Sequence, residues 1–560
     1  MATREGIDPS AELRVLADDY WEGVLRRNPT MATFYGDDRY NDRLPDVGPN
    51  GRAEEQAALQ DVQARLAVFD GADLSDEDRI TRDMLRLSVQ AGLDAIRLRL
   101  DELSVDQLAG PQVWLPELLN WHPLDTPEHV EQLIIRYQRF GTYMDQYLGN
   151  LRDGIRDGRT APRLAVERVI GQLRALLSQS PAESPLAAPT TDLGSHRDPL
   201  VTALEKTVYS AYQQMLEFLA EGSEAYLDKH ARVEPGIWSV TDGEEIYATL
   251  AREHTTTELP PHELHTIGRD ELTGIHAEMR AIMAHRGETA TTIRAFSERL
   301  TKDPANLPTN GDEIVRAAEH LLERASAALP RAFGRLPKTS CIVKPAEPWR
   351  ERDMPAAYYF QPSADGQRPG IFYINTFEPS SRPRHALPAL AFHEAVPGHH
   401  LQITLAQEKD DLPAFRRLSA GWLANAFVEG WALYTERLAD ELGLYPDELS
   451  RFGMLSYQAW RACRLVVDTG LHHLHWSRQQ AIDYLLDNVG LSELETLNEI
   501  DRYISWPGQA LSYKIGQREI ERVRRQVERR LGADFSLAAF HDALLSHAAV
   551  PLSTLDALFS

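Results

Sequence analysis

Over 560 residues the chain carries 59 Lys plus Arg against 84 Asp plus Glu, a formal net charge of −25. That charge repels phosphate backbones and argues against nucleic acid or an anionic membrane surface as a partner. The length is enough for a large buried core, arranged as one sizeable helical domain or as two lobes, a helical one over about 1–335 and a catalytic one over about 336–560.

Two cysteines, Cys341 and Cys463, imply neither a disulfide framework nor a cysteine-based zinc site. Residues 1–20 lack the basic start and apolar core of a signal peptide, and no run of about eighteen apolar residues is long enough to span a bilayer, so the expected location is cytoplasmic.

From the N-terminus the dominant period is helical. Leu13, Leu16, Tyr20 and Val24 follow Ser10, an expected N-cap, and similar stripes recur near 52–70, 76–104, 127–157, 163–179, 198–229 and 243–252. The Ser-, Pro- and Ala-rich segment Ser180 to Pro199 reads as a loop that either lies over a cleft or, more readily, joins two helices. His262-Glu263-Leu264-His265 has the look of a metal motif, but it follows Pro260-Pro261 at a helix start, where Glu and His are ordinary first-turn residues. No histidine has Glu three positions before it, which excludes a di-iron carboxylate bundle.

Strand character is concentrated in Cys341-Ile342-Val343, Ala357-Tyr358-Tyr359-Phe360 and Gly370 to Asn375, short β-rich runs divided by proline and glycine. This small sheet is either a structural cover or an edge on which an extended peptide pairs. Directly after it, the uncharged run Leu387 to Phe392 reads as a buried helix that ends in His393-Glu394-Ala395-Val396-Pro397-Gly398-His399-His400. Imidazoles hold zinc and an adjacent carboxylate activates water, so this is the expected active site of a zinc hydrolase.

The spacing departs from the HExxH pattern, whose histidines share one helix face. On an undistorted helix His399 lies roughly 120° from the face of His393, and His400 lies about 10 Å further along the axis. Pro397 cannot donate to the carbonyl of residue 393 and its ring clashes there. A bulge or break at this point, of two residues if a bulge, would return His399 to the place of the second ligand.

Phe427-Val428-Glu429-Gly430-Trp431-Ala432-Leu433-Tyr434-Thr435-Glu436 reads either as the helix of the third ligand, with Glu429 on the metal and Glu436, two turns on, as an acceptor behind the ligands, or as a half-exposed amphipathic helix with solvated glutamates. Arg461, Arg464, Asp468 and His472 recur at intervals of three and four, forming either the wall of a cavity or a solvated face. His472 is expected behind the ligands or facing substrate. His473 and His475 point elsewhere and make no second cluster with it. Pro507-Gly508 marks a turn before a helix that presents Gln509 and Tyr513 one turn apart on a common face, while Lys514 and Arg502 read either as binders of a substrate carboxylate or, more readily, as surface charges.

Together HEAVPGHHLQ, FVEGWALYTE, the stretch Val467 to His472 and WPGQALSYKIG (Trp506 to Gly516) resemble the bacterial domain of unknown function 885 family, over most of the chain from the Tyr20-Trp21 helix to the C-terminal third. That family is more distantly similar to the helical gluzincin metallopeptidases: thimet oligopeptidase, neurolysin, angiotensin-converting enzyme and carboxypeptidase Taq. The resemblance implies a mainly α, zincin-like fold with a small sheet beside the active-site helix and a deep central cleft.

It further implies one zinc ion on His393, His399 and Glu429, with Glu394 as general base and Tyr513 as the late tyrosine that steadies the oxyanion. Two residues more than in the peptidases stand between Glu394 and Gly398, which keeps His400 as the substitute for His399. His400, Glu436, Arg464, Asp468, His472 and Gln509 are the expected supporting or substrate-binding residues. The expected activity is hydrolysis of amide bonds in short peptides, of carboxypeptidase or dipeptidase type. The alternatives are a silent scaffold that binds a peptide or partner, and an amidohydrolase of acyl-amino acids or secondary metabolites.

Overall fold

The structure, a computed structural model, describes residues 8–187, 193–289, 292–346, 351, 356–363, 368–418 and 424–559. It is mainly helical, with one three-stranded sheet, and divides into two compact units, residues 1–246 and 247–560. The division expected near 335/336 falls inside the second unit. The reason is packing that no local pattern announces: the helix Pro261–His285 lies along a helix nearly two hundred positions later, Glu448–His472.

In the first unit the stripes near 52–70, 76–104, 127–157 and 163–179 appear as the helices α2 (Pro49–Leu66), α3 (Asp76–Arg97), α4 (Pro127–Asp157) and α5 (Arg163–Leu177), preceded by α1 (Pro9–Arg27). The cap of α1 is Asp8 rather than Ser10. Its carboxylate accepts from the Ser10 N–H at 3.0 Å, and Pro9 occupies the first turn, where the missing N–H costs nothing.

Leu133, Tyr137, Phe140, Met144, Leu148 and Leu151, three and four apart along α4, are all buried in the core of this unit. The stripe at 198–229 is divided: helix Arg197–Ala203 leads through a π-turn into Ser210–Ala220, and Gly222, at φ 84°, separates that from Tyr226–Lys229. In the segment Ser180 to Pro199, the described residues form the short 3₁₀ turns Pro185–Ala187 and Gly194–His196. Residues 188–192 lie outside the described residues.

The second unit is built from α6 (Pro261–His285), α7 (Gly311–Ala328), the strands β1 (Cys341–Pro345), β2 (Ala357–Phe360) and β3 (Gly370–Ile374), then α8 (Leu387–Glu394), α9 (His399–Gln407), α10 (Asn425–Glu441), α11 (Glu448–His472), α12 (Glu493–Ser505) and α13 (Ser512–Leu531). The strands fall where the three β-rich runs place them. β3 is central, parallel to β1 and antiparallel to β2.

α10 and α13 touch backbone to backbone. A Cβ on Gly516 would stand 1.7 Å from the Ala426 carbonyl oxygen, and one on Gly430 would stand 2.3 Å from the Gly516 carbonyl carbon. Only glycine fits at either place. Glu429, beside one glycine, and Tyr513, one turn before the other, are thereby carried to the same helix crossing.

Candidate metal centre

The disruption at Pro397 is a break, not a bulge within one helix. α8 ends at Glu394, and the chain passes through Ala395, Val396, Pro397 and Gly398 before α9 begins at His399. The new helix stays close to the old one because Gly398 sits on its end: a Cβ there would stand 1.9 Å from the His393 carbonyl oxygen. The His400 N–H donates to the Ala395 carbonyl at 3.0 Å, closing the turn.

α10 grips both halves. The Trp431 indole N–H donates to the Pro397 carbonyl at 3.0 Å, the Thr435 hydroxyl to the Phe392 carbonyl at 3.3 Å, and Glu436 accepts from His393.

The result brings His393, His399 and Glu429 together, with one donor atom from each lying within 4.8 Å of the others. Glu429 Oε2 is 3.5 Å from His393 Nε2 and 3.5 Å from His399 Nε2, and it is buried without a well-formed hydrogen bond. A buried carboxylate oxygen and two imidazole nitrogens, spaced just beyond hydrogen-bonding contact, are a donor set suited to zinc. Among the described residues no other group of His, Cys, Asp and Glu is so arranged.

Glu429 and Glu436, two helical turns apart, meet the two nitrogens of one ring. Glu429 faces His393 Nε2, and the fully buried Glu436 accepts from His393 Nδ1 at 2.9 Å. That bond fixes the tautomer, leaving Nε2 as the ligand atom. Burial disfavours charge on this imidazole, but the carboxylates of Glu429, Glu436 and Glu394 outweigh it and lift its pKa to about 9. Burial likewise opposes the charge on Glu429, and the two facing imidazoles prevail, holding its carboxyl well below the usual carboxylate range. Glu394, half-buried, makes no hydrogen bond to another described residue, and burial raises its pKa.

His400 is engaged elsewhere. Its Nε2 donates to the Thr339 carbonyl at 3.1 Å and its Nδ1 accepts from the Tyr359 hydroxyl at 2.9 Å, so neither nitrogen has a lone pair to spare. Burial pushes its pKa down to about 4, keeping the ring neutral. It ties α9 to the sheet, while His399 faces Glu429.

The polar stripe on α11 is not a solvated face: Arg461, Arg464, Asp468 and His472 are all buried. Only its first half reaches the site. Arg464 stacks on the Tyr513 ring at 4.3 Å, donates to the Tyr503 hydroxyl at 2.9 Å and pairs with Glu499 at 3.1 Å.

Asp468 instead accepts from the Tyr247 hydroxyl at 2.7 Å and from the Gly508 N–H at 3.2 Å, anchoring the turn before α13, and burial pushes its pKa up to about 7. His472 Nε2 donates to the Tyr503 carbonyl at 2.9 Å, so its role is packing between α11 and α12 rather than facing substrate. Gln509 and Tyr513 do stand together, Arg502 donating to Gln509 Oε1 at 2.6 Å and lying 3.4 Å from the Tyr513 hydroxyl. The Tyr513 ring lies face to face with His393, centroids 6.4 Å apart.

Lys514 is a correction, buried rather than on the surface. Its ammonium donates to Gln458 Oε1 at 2.8 Å and to Gln517 Oε1 at 2.6 Å, and burial lowers its pKa to about 8. Gln458 in turn donates to Glu436 Oε2 at 3.1 Å, so a buried chain runs from His393 through Glu436 and Gln458 to Lys514. Gln458 was legible as one more step of the stripe, three residues before Arg461.

Two cavities, of about 410 Å³ beside Arg269, His276 and Tyr484 and about 350 Å³ beside Leu405 and Asp542, are not lined by the triad. No helix among the described residues is long and apolar enough to cross a membrane.

A family model described as bacterial protein of unknown function (DUF885) matches residues 29–558. Two solved structures share the fold. One, described as "the putative lipoprotein from Colwellia psychrerythraea", is 28% identical with a TM-score of 0.92, covering 99% of each chain. The other, described as "a putative lipoprotein of unknown function from Shewanella oneidensis", is 19% identical with a TM-score of 0.76, covering 99% of this chain and 100% of its own. No curated protein matches the sequence.

Proposed function

The chain belongs to the bacterial DUF885 family of proteins of unknown function, and from the side chains gathered around Glu429 we propose that it is a zinc-dependent hydrolase of amide bonds. The reading is a metallopeptidase of gluzincin type acting on short peptides, with a cleft that admits them to the triad. The observation that carries it is the convergence of His393 Nε2, His399 Nε2 and Glu429 Oε2 beside the carboxylate of Glu394, which makes no hydrogen bond to another described residue.

These residues would hold the ion, which when bound supplies Lewis acidity toward water and the scissile carbonyl. Glu394 takes the proton of the attacking water and returns it to the leaving amine, a task suited to a carboxyl whose pKa burial has raised. Tyr513, fixed between His393 and Arg464, donates its phenolic proton toward the oxyanion that develops on the carbonyl oxygen. Glu436 keeps His393 in one tautomer throughout.

The test is incubation of the purified protein with a panel of short peptides and acyl-amino acids, before and after chelation. Cleavage that chelation abolishes and added zinc restores is the expected result. Tight peptide binding with no turnover in any metal state would leave the silent scaffold as the reading.

A further inference from the structure

Arg461 is a buried guanidinium with no ion-pair partner among the described residues. It is 5% exposed, and its Nε and Nη1 are buried without hydrogen-bond partners. Its neighbours hold the plane but not the charge: the guanidinium carbon stands 4.6 Å from the centre of the Tyr457 ring, 4.5 Å from Trp460 and 6.0 Å from Tyr513. Rings crowded against a guanidinium hold it without accepting from its N–H groups, which leaves the donor edge free.

Arg464 stands beside it, sharing the Trp460 and Tyr513 rings at 4.7 and 4.3 Å, and its Nη1 is also buried and unpartnered. The carboxylate of Glu499 is already occupied by Arg464 at 3.1 Å and Arg502 at 3.5 Å. Three arginines against one paired glutamate leave an excess of positive charge on this wall, and the field of Arg461 reaches Glu394. Keeping a buried charge unpaired is costly, so a side chain held this way serves a ligand rather than the fold.

We propose that Arg461, with the free Nη1 of Arg464, binds an unblocked carboxylate of the substrate, so that the site takes peptides or acyl-amino acids ending in a free carboxylate. The assignment rests on the hydrolase reading for the word substrate, but the anion site stands on its own geometry. The planar donor edge suits a bidentate carboxylate. The shared Tyr513 ring, which also stacks on His393, puts that anchor beside the triad, where a free carboxylate one residue from the scissile bond belongs.

The experiment measures binding without turnover. Chelator-treated full-length protein is titrated calorimetrically with acetyl-Ala-Ala, with its C-terminal amide and with inorganic phosphate. The wild type is expected to bind the acid about tenfold or more tighter than the amide, and Arg461→Met to bind the two alike while melting close to the wild type, since methionine keeps the packing against the rings and no hydrogen bond or ion pair to a described residue is lost. Arg461→Lys is expected to keep part of the preference, and it carries the comparison if the methionine variant does not fold.

Equal binding of acid and amide by the wild type, an undiminished preference in the variants, or phosphate binding as tightly as the acid would overturn the proposal. Zinc content and peptide cleavage, read on the same protein before chelation, separate the two claims. Zinc-dependent cleavage without a carboxylate preference sinks this inference alone, and a preference without zinc or cleavage sinks the hydrolase reading alone.

Discussion

Replacing Glu394 with glutamine is expected to slow amide hydrolysis by about 10²–10⁴-fold while leaving zinc content unchanged. Glutamine has nearly the same shape and cannot take a proton. Glu394 is not one of the three converging donors, so the ion keeps its ligands. Its carboxylate has no described hydrogen-bond partner to lose, so the fold should tolerate the change. Burial raises its pKa, which favours holding the proton until it passes to the leaving amine. The check is kcat on a cleaved peptide together with metal content by elemental analysis. A variant as fast as the wild type would remove Glu394 from the chemistry, and a variant without zinc would make it a ligand.

The second large effect separates two adjacent histidines. His399→Ala is expected to weaken zinc binding by about 100-fold or more, since even partners behind a ligand are commonly worth 10–100-fold. His400→Ala is expected to keep zinc and instead lose about 1–3 kcal/mol of stability, because it removes the buried ring that bonds the half-buried Thr339 carbonyl and Tyr359 hydroxyl. Competition with a chromophoric chelator reads the first quantity and thermal or urea unfolding reads the second. The reverse pattern, zinc lost with His400 and kept without His399, would place the ion on the other side of α9.

Why these two histidines are so different was not visible in their spacing. Pro397 announces a disrupted helix, but the direction of the chain beyond it depends on Gly398 seating against the His393 carbonyl and on Trp431 holding the Pro397 carbonyl. Both partners are named only by the folded structure. The bond that occupies His400 comes from β2, some forty residues earlier.

By contrast, the seven-residue interval from Glu429 to Glu436 was legible. Two turns of one helix carry two carboxylates to the two nitrogens of a single ring, and the pattern needs no knowledge of the rest of the chain. Gly430 and Gly516 show the intermediate case: each stands beside a residue singled out for chemistry, but that they touch one another is a fact of packing.

The stripe on α11 marks the limit of periodicity as evidence. Spacings of three and four say that Arg461, Arg464, Asp468 and His472 share a face, not what covers it. α12 and the start of α13 cover it, dividing the stripe into a half that meets Tyr513 and a half that bonds to Tyr247, Gly508 and Tyr503. Lysines are seldom buried, and Lys514 is buried here because two glutamine oxygens receive its ammonium. The domain division is of the same kind, since α6 joins the second unit through its packing on α11 and through the ion pairs of Glu278 with Arg437 and of Glu271 with Arg518.

The most direct measurement is anomalous diffraction at the zinc edge from crystals grown without chelator. The account predicts one strong peak per chain, within bonding distance of His393 Nε2, His399 Nε2 and a Glu429 carboxylate oxygen. A peak on His400, or well-ordered crystals of zinc-supplemented protein with no peak between these three side chains, would contradict it.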